Sequence, residues 1–320
     1  MIKYWLLLFV CLYCSCIGEQ KNRNKDISVN YSQDSIKISI NNKENFPFPT
    51  LPVMLMQQED RKKYLIQHYW DKFNFADTVL VNNRELTEQG FVNNISLLAD
   101  KTNAKELVKD GIDNFCSAME KHEYARKVCM QMVDDYLYNS NSPYYNEALY
   151  ALYLERMLES KMLDDARKST LKFKLDLIRR NTPGTVAMDF DYVLPDGKKN
   201  SLLRTGVKGD RLLLVFYDPE CPSCHDVMNQ MIMDEALRNA VADGKVTVLA
   251  VYTEGDVDVW KKSLRDMPEG WIVVHDNMVV KEKALYDLKA MPSIYLLDGE
   301  KKVILKDAMY GEVRSTIFHK

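Results

Sequence analysis

Two cysteines with two residues between them, in the tetrapeptide Cys221-Pro222-Ser223-Cys224, have a spacing suited to covalent sulfur chemistry. They follow an apolar run at residues 212–217, which predicts a buried strand, and a turn at residues 218–220. Pro222 lies where proline favours the first turn of a helix, so the pair is expected at a helix N-terminus. The free backbone N–H groups and the positive end of the helix dipole stabilise a thiolate at such a position.

This placement makes Cys221 the expected nucleophile in thiol–disulfide exchange. Cys221 would attack a disulfide in another protein, and the more buried Cys224, one turn along the helix, would resolve the mixed disulfide by attacking Cys221. The pair would end oxidised. Its expected partners are therefore protein disulfide substrates and a membrane or periplasmic thiol protein that donates electrons, and no cofactor is expected.

Other uses of a CxxC pair fit the sequence less well. Zinc needs a second pair of ligands, and no distant CxxC or HxxxH supplies one, so no metal site is predicted. A peroxidase needs a single peroxidatic cysteine in a pocket rich in Pro and Thr. The CPSC pair instead follows the pattern of disulfide exchange, so no peroxidase activity is expected. An inert structural disulfide stays open, because CxxC loops also occur without catalysis.

The first sixteen residues predict export. A short basic stretch precedes the apolar run WLLLFVCLY, which is too short for a mature bilayer span but suits an export signal. The sequence Tyr13-Cys14-Ser15-Cys16 resembles a loose lipobox, with the small Ser15 before Cys16. Cys16 is thus the expected lipid attachment, with Cys14 or a retained hydrophobic anchor as alternatives. We expect a membrane-anchored lipoprotein that faces the periplasm.

Length and composition favour a globular protein of two domains. The chain has 320 residues, of which 46% are hydrophobic and 28% charged. Its net charge of -3 gives no electrostatic footprint for DNA or RNA, so no nucleic-acid partner is expected. Residues 17–50 are polar and rich in Asn, Lys and Ser, which predicts a tether.

Helical periodicity dominates residues 51–182, which we assign to a helical domain of unknown function. A later helix in it is predicted to begin at Ser142-Pro143, in the order of an N-cap followed by proline. Apolar residues at steps of three and four predict the faces of two packed helices, at Ala104, Leu107, Val108, Ile112, Phe115 and Met119 and at Ala125, Val128, Met132, Val133 and Tyr136.

Cys116 and Cys129 lie on or beside these two apolar faces. A break near residues 121–122 would bring them together in an antiparallel hairpin. In an oxidising compartment they could form a structural disulfide, or they could pack as two buried thiols. The sequence leaves both alternatives open.

The pattern changes over residues 183–320, the second predicted domain. Residues 186–194 alternate in polarity and precede a turn at residues 195–197, which suggests a β-hairpin. Strands are predicted at residues 246–252, 272–274 and 293–297, with helices between them. The expected fold class is a helical domain followed by an α/β sandwich.

From residue 183 onward the chain resembles the thioredoxin family, and more closely its exported TlpA-like and ResA-like branch. The resemblance rests on the strand–CPSC–helix unit, on the preceding segment AMDFDYVLPDG, and on Met291-Pro292-Ser293 before a strand. It implies a thioredoxin-like fold, thiol-disulfide oxidoreductase activity and a cis Pro292 beside the CxxC pair. Met291 could then pair with an extended substrate peptide, as a strand would.

The helical domain carries a second resemblance. Residues 60–78 (DRKKYLIQHYWDKFNFADT) are similar to the start of an uncharacterised helical domain found before thioredoxin-like domains in lipoproteins of Gram-negative bacteria. This resemblance names a neighbour and implies no activity.

The sequence departs from the thioredoxin pattern at two positions. The buried acid that thioredoxins carry six residues before the first cysteine is replaced by Val215, and the aromatic residue that commonly precedes that cysteine is replaced by Glu220. Glu254, His225 and His275 are candidates for the missing proton carrier.

Acidic residues beside the pair suggest the direction of electron flow. Asp218 and Glu220 oppose a negative charge on Cys221, and a less stabilised thiolate makes a dithiol more reducing. The leading prediction is a reductase of exported proteins. A disulfide oxidase or isomerase with the same residues, and a binding lipoprotein that uses the thioredoxin fold as a scaffold, are the alternatives.

Overall fold

The structure, a computed structural model, describes residues 46–318. The predicted export signal, the lipid attachment at Cys16 and most of the predicted tether lie outside the described residues. From Phe46 onward the chain forms one unit in which a helical region is followed by a mixed sheet with flanking helices. The predicted fold class is confirmed.

The helical region, residues 46–182, is built from helices of 5 to 15 residues. They are α1 Gln58–His68, α2 Thr78–Asn82, α3 Arg84–Leu98, α4 Lys105–Met119, α5 Glu123–Val133, α6 Glu147–Leu158 and α7 Asp165–Ile178, with a π-helical turn at Asp134–Tyr138 after α5.

Helix α4 buries the face that its periodicity predicts. Val108, Ile112, Phe115 and Met119 all lie in the core of the helical region. Helix α1 approaches α4 closely at Gly111, where an added Cβ would lie 2.8 Å from Cγ2 of Ile66. A glycine is required there because any side chain would separate the two helices.

The predicted helix start at Ser142-Pro143 is wrong. Helix α6 begins at Glu147, and the side chain of Asn146 caps it by accepting a hydrogen bond from the N–H of Leu149 at 3.0 Å. The intervening residues stay out of the helix because Tyr144 packs on the core and Tyr145 reaches the α/β region. A better cap four residues later therefore outweighs the serine–proline signal.

The α/β region contains a mixed sheet in the order β2-β1-β5-β4-β3-β6-β7. Strands β3, β4 and β5 are parallel, whereas β6 runs antiparallel to β3. The edge strands β2 and β7 have three residues each. The strands are β1 Asp191–Val193, β2 Lys199–Ser201, β3 Arg211–Tyr217, β4 Val246–Tyr252, β5 Ile272–His275, β6 Ser293–Asp298 and β7 Val303–Leu305.

Apolar side chains cover both faces of the central strands. In β3, Leu213 and Val215 point into one core, and Leu212 and Leu214 point into the other. Burial on both faces explains why β3 and β4 are continuous apolar runs without alternation. The helices that complete the region are α8 Pro222–Met233, α9 Glu235–Ala242, α10 Val257–Ser263, α11 Val279–Glu282 and α12 Tyr310–Phe318.

Candidate active site

The carboxyl ends of the three parallel strands meet at one edge of the sheet. Tyr217 pairs in register with Tyr252, and Tyr252 pairs with His275. The chain leaves β3 at this edge, turns through residues 218–220 and enters α8. The CxxC pair therefore lies at the edge where parallel strands commonly present functional groups.

Cys221 is the N-cap residue of α8, and Pro222 occupies the first turn. The N–H of Cys221 donates to the carbonyl of Asp218 at 3.2 Å, and the carbonyl of Cys221 accepts the N–H of His225 at 3.2 Å. First-turn N–H groups have no acceptor within their own helix, so they favour a negative charge at the Cys221 sulfur. Pro222 and Ser223 are exposed, and Cys221 is half-buried.

Cys224 is the inner member of the pair. Its side chain is 1% exposed, and its Sγ accepts a hydrogen bond from the N–H of Asp218 at 3.4 Å. Burial raises the pKa of Cys224 to about 12. Both Cys221 and Cys224 are free thiols in this structure. The half-buried thiol of Cys221 is accessible to a second molecule. The buried thiol of Cys224 is not, so Cys224 can react only after Cys221.

The segment before β6 lies against the outer thiol. The Met291-Pro292 peptide bond is cis, as the resemblance implies. Because Phe216 pairs with Ser293 across β3 and β6, the residues just before Ser293 lie beside the end of β3. Sγ of Cys221 donates to the carbonyl oxygen of Met291 at 3.9 Å, which is within the reach of a weak sulfur hydrogen bond.

The acidic residues of the turn differ in their surroundings. Glu220 is exposed, and its N–H donates to Oδ1 of Asp218 at 2.9 Å. Asp218 is half-buried, and its negative charge adds to the burial that raises the pKa of Cys224. Asp218 therefore acts on the inner thiol through a charge and through its backbone N–H.

The three candidate proton carriers have other partners. His225 is exposed, and its Nε2 donates to the carbonyl of Pro219 at 2.7 Å. Glu254 forms an ion pair with Lys281. His275 is buried with its ring 4.4 Å from that of Trp260, and burial lowers the pKa of its imidazole.

The position of the missing acid is apolar. Val215 is fully buried in β3, between Ala250 of β4 and Ile294 of β6. A charge would be costly in this layer. The sequence departure at Val215 is thus matched by the packing around it.

A cavity of about 300 Å³ adjoins the inner thiol. Apolar residues of α8 and the α10 segment line it together with Cys224, Asp218 and His225. The sequence did not indicate this cavity, because its walls come from segments that are about forty residues apart. The apolar lining side chains are Met228, Ile232, Val259 and Met267.

Cys116 and Cys129 lie far along the chain from this site, in α4 and α5. Both are fully buried free thiols in this structure, and burial raises the pKa of Cys129 to about 12. Their pairing in an oxidising compartment stays a prediction.

Residues 46–318 contain neither a candidate metal-binding cluster nor a candidate membrane-spanning helix. This part of the chain contains no group of three or more His, Cys, Asp or Glu side chains that could hold a metal ion. None of its helices is long and apolar enough to cross a membrane.

Known proteins resemble both regions. The family described as a domain of unknown function, DUF5106, matches residues 15–181. A thioredoxin-like protein from Bacteroides caccae is 33% identical, with a TM-score of 0.74, over 87% of this chain and 99% of its own. The chain matches no curated protein.

Other solved structures match a smaller share of the chain. The C-terminal domain of an uncharacterised protein from Bacteroides fragilis is 34% identical over 43% of this chain and 97% of its own, with a TM-score of 0.41. A domain of a possible thiol-disulfide isomerase from Cytophaga hutchinsonii is 26% identical over 43% of this chain and 92% of its own, with a TM-score of 0.38.

Proposed function

The chain belongs to the DUF5106 family and to the thioredoxin-like proteins, and from this premise we propose that it is a thiol-disulfide reductase of exported proteins. Cys221 is the nucleophile, Cys224 resolves the mixed disulfide, and the backbone of Met291 binds the substrate peptide. Pro222, Ser223 and Pro292 shape the surface around the pair.

One observation carries this proposal. A half-buried thiol at a helix N-terminus lies 3.9 Å from the carbonyl of Met291, and a second, buried thiol lies one turn behind it. A peptide that pairs with the Met291 backbone would bring its disulfide to Cys221. An inert structural disulfide needs neither the accessible first thiol nor the neighbouring backbone acceptor.

The exchange proceeds in two balanced steps. The Cys221 thiolate attacks one sulfur of the substrate disulfide, so that the substrate S–S bond breaks, a mixed disulfide forms, and the departing thiolate takes a proton from solvent. Cys224 then attacks Sγ of Cys221. The mixed disulfide breaks, the Cys221–Cys224 bond forms, and the second substrate sulfur leaves with the proton that Cys224 gives up. Two electrons have passed to the substrate. A dithiol protein must then supply two electrons to reduce the Cys221–Cys224 disulfide.

The acidic turn supports the reducing direction. The carboxylate of Asp218 disfavours negative charge on the inner thiol, in opposition to the hydrogen bond from the Asp218 N–H. A dithiol whose thiolates are poorly stabilised gives up its electrons more readily. Glu220 adds a further negative charge at the entrance to α8. The same two thiols in a more oxidising environment would serve a disulfide oxidase or isomerase.

Export and lipid attachment at Cys16 complete the proposal. The apolar run before Cys16 supports an export signal. We propose that the protein faces the periplasm from the membrane and receives electrons from a membrane or periplasmic thiol protein. Metabolic labelling with a fatty-acid analogue, compared between the parent and Cys16→Ala, tests the attachment.

A redox titration of the full chain in glutathione or dithiothreitol buffers tests the reducing direction. The state of Cys221 and Cys224 is measured by alkylation and peptide mass mapping. We expect a potential near that of thioredoxin, about -270 mV. A potential of about -120 mV would instead identify an oxidase.

An insulin-reduction assay with dithiothreitol as the electron source tests the activity itself. We expect turnover by the parent and none by Cys221→Ser. Cys129→Ala is the matched control, because it removes a buried thiol of the helical region and leaves the CxxC pair intact. Equal rates for the parent and Cys221→Ser would sink the proposed activity.

A further inference from the structure

A buried lysine joins the helical region to the segment that leads to the cis peptide bond. Nζ of Lys289 donates to Oε1 of Glu147 at 2.7 Å and to the hydroxyl of Tyr145 at 3.1 Å. The side chain of Lys289 is only 6% exposed. Glu147 and Tyr145 lie at the start of α6, so this lysine connects the two regions of the chain.

The same lysine also has partners in its own region. Its Nζ lies 3.1 Å from Oδ2 of Asp287 and 3.6 Å from Oδ2 of Asp307. Asp287 in turn accepts a hydrogen bond from the hydroxyl of Tyr138 at 2.9 Å, and the Lys289 ammonium lies 5.0 Å from the centre of the Tyr138 ring. The helical region and the α/β region are therefore joined by a network of side chains and not by a single ion pair.

Glu147 uses both of its oxygens across the interface. Its Oε2 accepts a hydrogen bond from Nζ of Lys306 at 2.8 Å, while Oε1 accepts from Lys289. Lys306 is 5% exposed and also donates to the carbonyl of Ile178 at 2.6 Å. One glutamate of the helical region thus holds two buried lysines of the α/β region.

The charges of this cluster nearly balance. Three carboxylates, of Glu147, Asp287 and Asp307, surround two ammonium groups. Burial opposes ionisation of Glu147, yet the two lysines hold the pKa of its carboxyl below the usual value. Burial raises the pKa of Asp307. The lysines therefore stabilise the charge on Glu147 more than the charge on Asp307.

The cluster contacts the chain on both sides of the cis peptide bond. Lys289 lies two residues before Met291. On the other side, the hydroxyl of Ser293, directly after Pro292, donates to Oδ1 of Asp307 at 2.8 Å. Asp307 is also within ion-pair distance of Lys289. The five residues from Lys289 to Ser293 are thus fixed at both ends by one network of side chains.

We propose that Lys289 is a positioning residue for thiol-disulfide exchange. Held by Glu147 of the helical region, it fixes the Met291-Pro292 segment against Cys221 and so sets how a substrate peptide is presented to the thiol. The inference rests on the proposed function, and it gives the helical region a role in that function. Substrate access, and not the reactivity of the thiols, depends on this link.

Glu147→Gln is the first test variant. It leaves two carboxylates and two ammonium groups in the cluster, and the amide nitrogen cannot accept from a lysine, so residue 147 can no longer hold both lysines. Lys306 loses its carboxylate partner but keeps the carbonyl of Ile178 as an acceptor. Lys289→Met removes the link entirely but leaves three carboxylates with one lysine. Lys302→Met is the matched control, because Lys302 forms an exposed ion pair with Glu300 in the same region.

Amide hydrogen exchange of the full chain measures the positioning directly. We expect exchange over residues 290–294 to become about five- to tenfold faster in Glu147→Gln, with β4 unchanged. In the insulin assay, KM should rise by a similar factor of about five to ten in the same variant. The rate with a small disulfide, which needs no peptide pairing, should stay within about twofold of the parent.

The failure of this inference can be told from the failure of the proposed function. Unchanged exchange at residues 290–294 and unchanged KM in folded Glu147→Gln would overturn the positioning role, whatever happens in Lys289→Met. If the parent itself reduces no disulfide, the proposed function fails, and the exchange measurement still decides whether Glu147 fixes this segment. Equal effects in Lys302→Met would also overturn the specific role of Lys289.

Discussion

The N–H of Asp218 donates to Sγ of Cys224 at 3.4 Å, so the turn that follows β3 contacts the inner cysteine of the pair directly. This bond and the burial of Cys224 separate the two thiols chemically. The outer thiol is available to reagents, and the inner thiol is protonated at neutral pH because its pKa is raised to about 12.

Alkylation of the reduced protein should be selective. Because only the thiolate is nucleophilic and the pKa of Cys224 is raised, the thiolate fraction of Cys224 falls about tenfold for each pH unit below about 12. At about pH 8 we expect iodoacetamide to modify Cys221 about tenfold faster than Cys224, or faster still. Peptide mass mapping measures both rates, and the urea-unfolded chain, with equal labelling, is the control. Equal rates in the folded protein would contradict the separation.

Asp218→Asn should make the dithiol less reducing. The substitution keeps the backbone N–H that contacts Cys224 and removes a negative charge that raises its pKa. A better stabilised thiolate shifts the potential upward, and we expect a change of about 10 to 30 mV. The potential is read by the same titration. Asp243→Asn, at an exposed ion pair with Lys245, should leave it unchanged.

Cys224→Ser should trap the first step of the exchange. Cys221 can still attack the substrate, but no second thiol is present to release it. Intact-mass measurement should reveal the chain plus one substrate molecule, and dithiothreitol should remove the addition. Cys221→Ser should form no such species. If Cys221→Ser trapped substrate and Cys224→Ser did not, the assigned roles would be reversed.

Gly111→Ala should destabilise the helical region. Its Cβ would lie 2.8 Å from Cγ2 of Ile66 and 3.2 Å from the Ile66 carbonyl oxygen, so α1 and α4 would have to separate. Overpacking of this kind lowers the free energy of unfolding by about 1 to 3 kcal/mol. Urea unfolding measures the change.

Gly311→Ala is the matched glycine substitution. Gly311 lies in α12, where an added Cβ meets no atom within 4 Å. We expect this variant to be at least as stable as the parent, because alanine loses less chain entropy on folding. Equal losses in both variants would show that the loss in Gly111→Ala does not come from the α1–α4 contact.

Local patterns in the sequence identify the elements around the thiols. The apolar run of β3, the turn after it and Pro222 together predict a strand, a loop and a helix, and each is found. The face of α4 follows in the same way from a period of three to four residues. These features are determined by residues that are close together in the sequence, so the sequence alone is enough to predict them.

The network around Lys289 depends on distant partners. Glu147 lies 142 positions earlier, and no local pattern distinguishes Lys289 from an exposed lysine. The same contacts explain the wrong start predicted for α6, because Tyr145 is held by Lys289 instead of entering the helix. The π-helical turn Asp134–Tyr138 was also not predicted, and it carries Tyr138 to Asp287.

The two ends of the sheet bear on how the protein behaves in a crowded compartment. Strands β2 and β7 expose few unpaired backbone groups because each has only three residues, and Val186 covers part of the β7 side through a bridge to Lys302. A short edge is a poor template for a strand from another molecule. The long apolar strands β3 and β4, which would aggregate readily if they lay at an edge, are instead enclosed in the middle of the sheet, where each already has a neighbour on both sides.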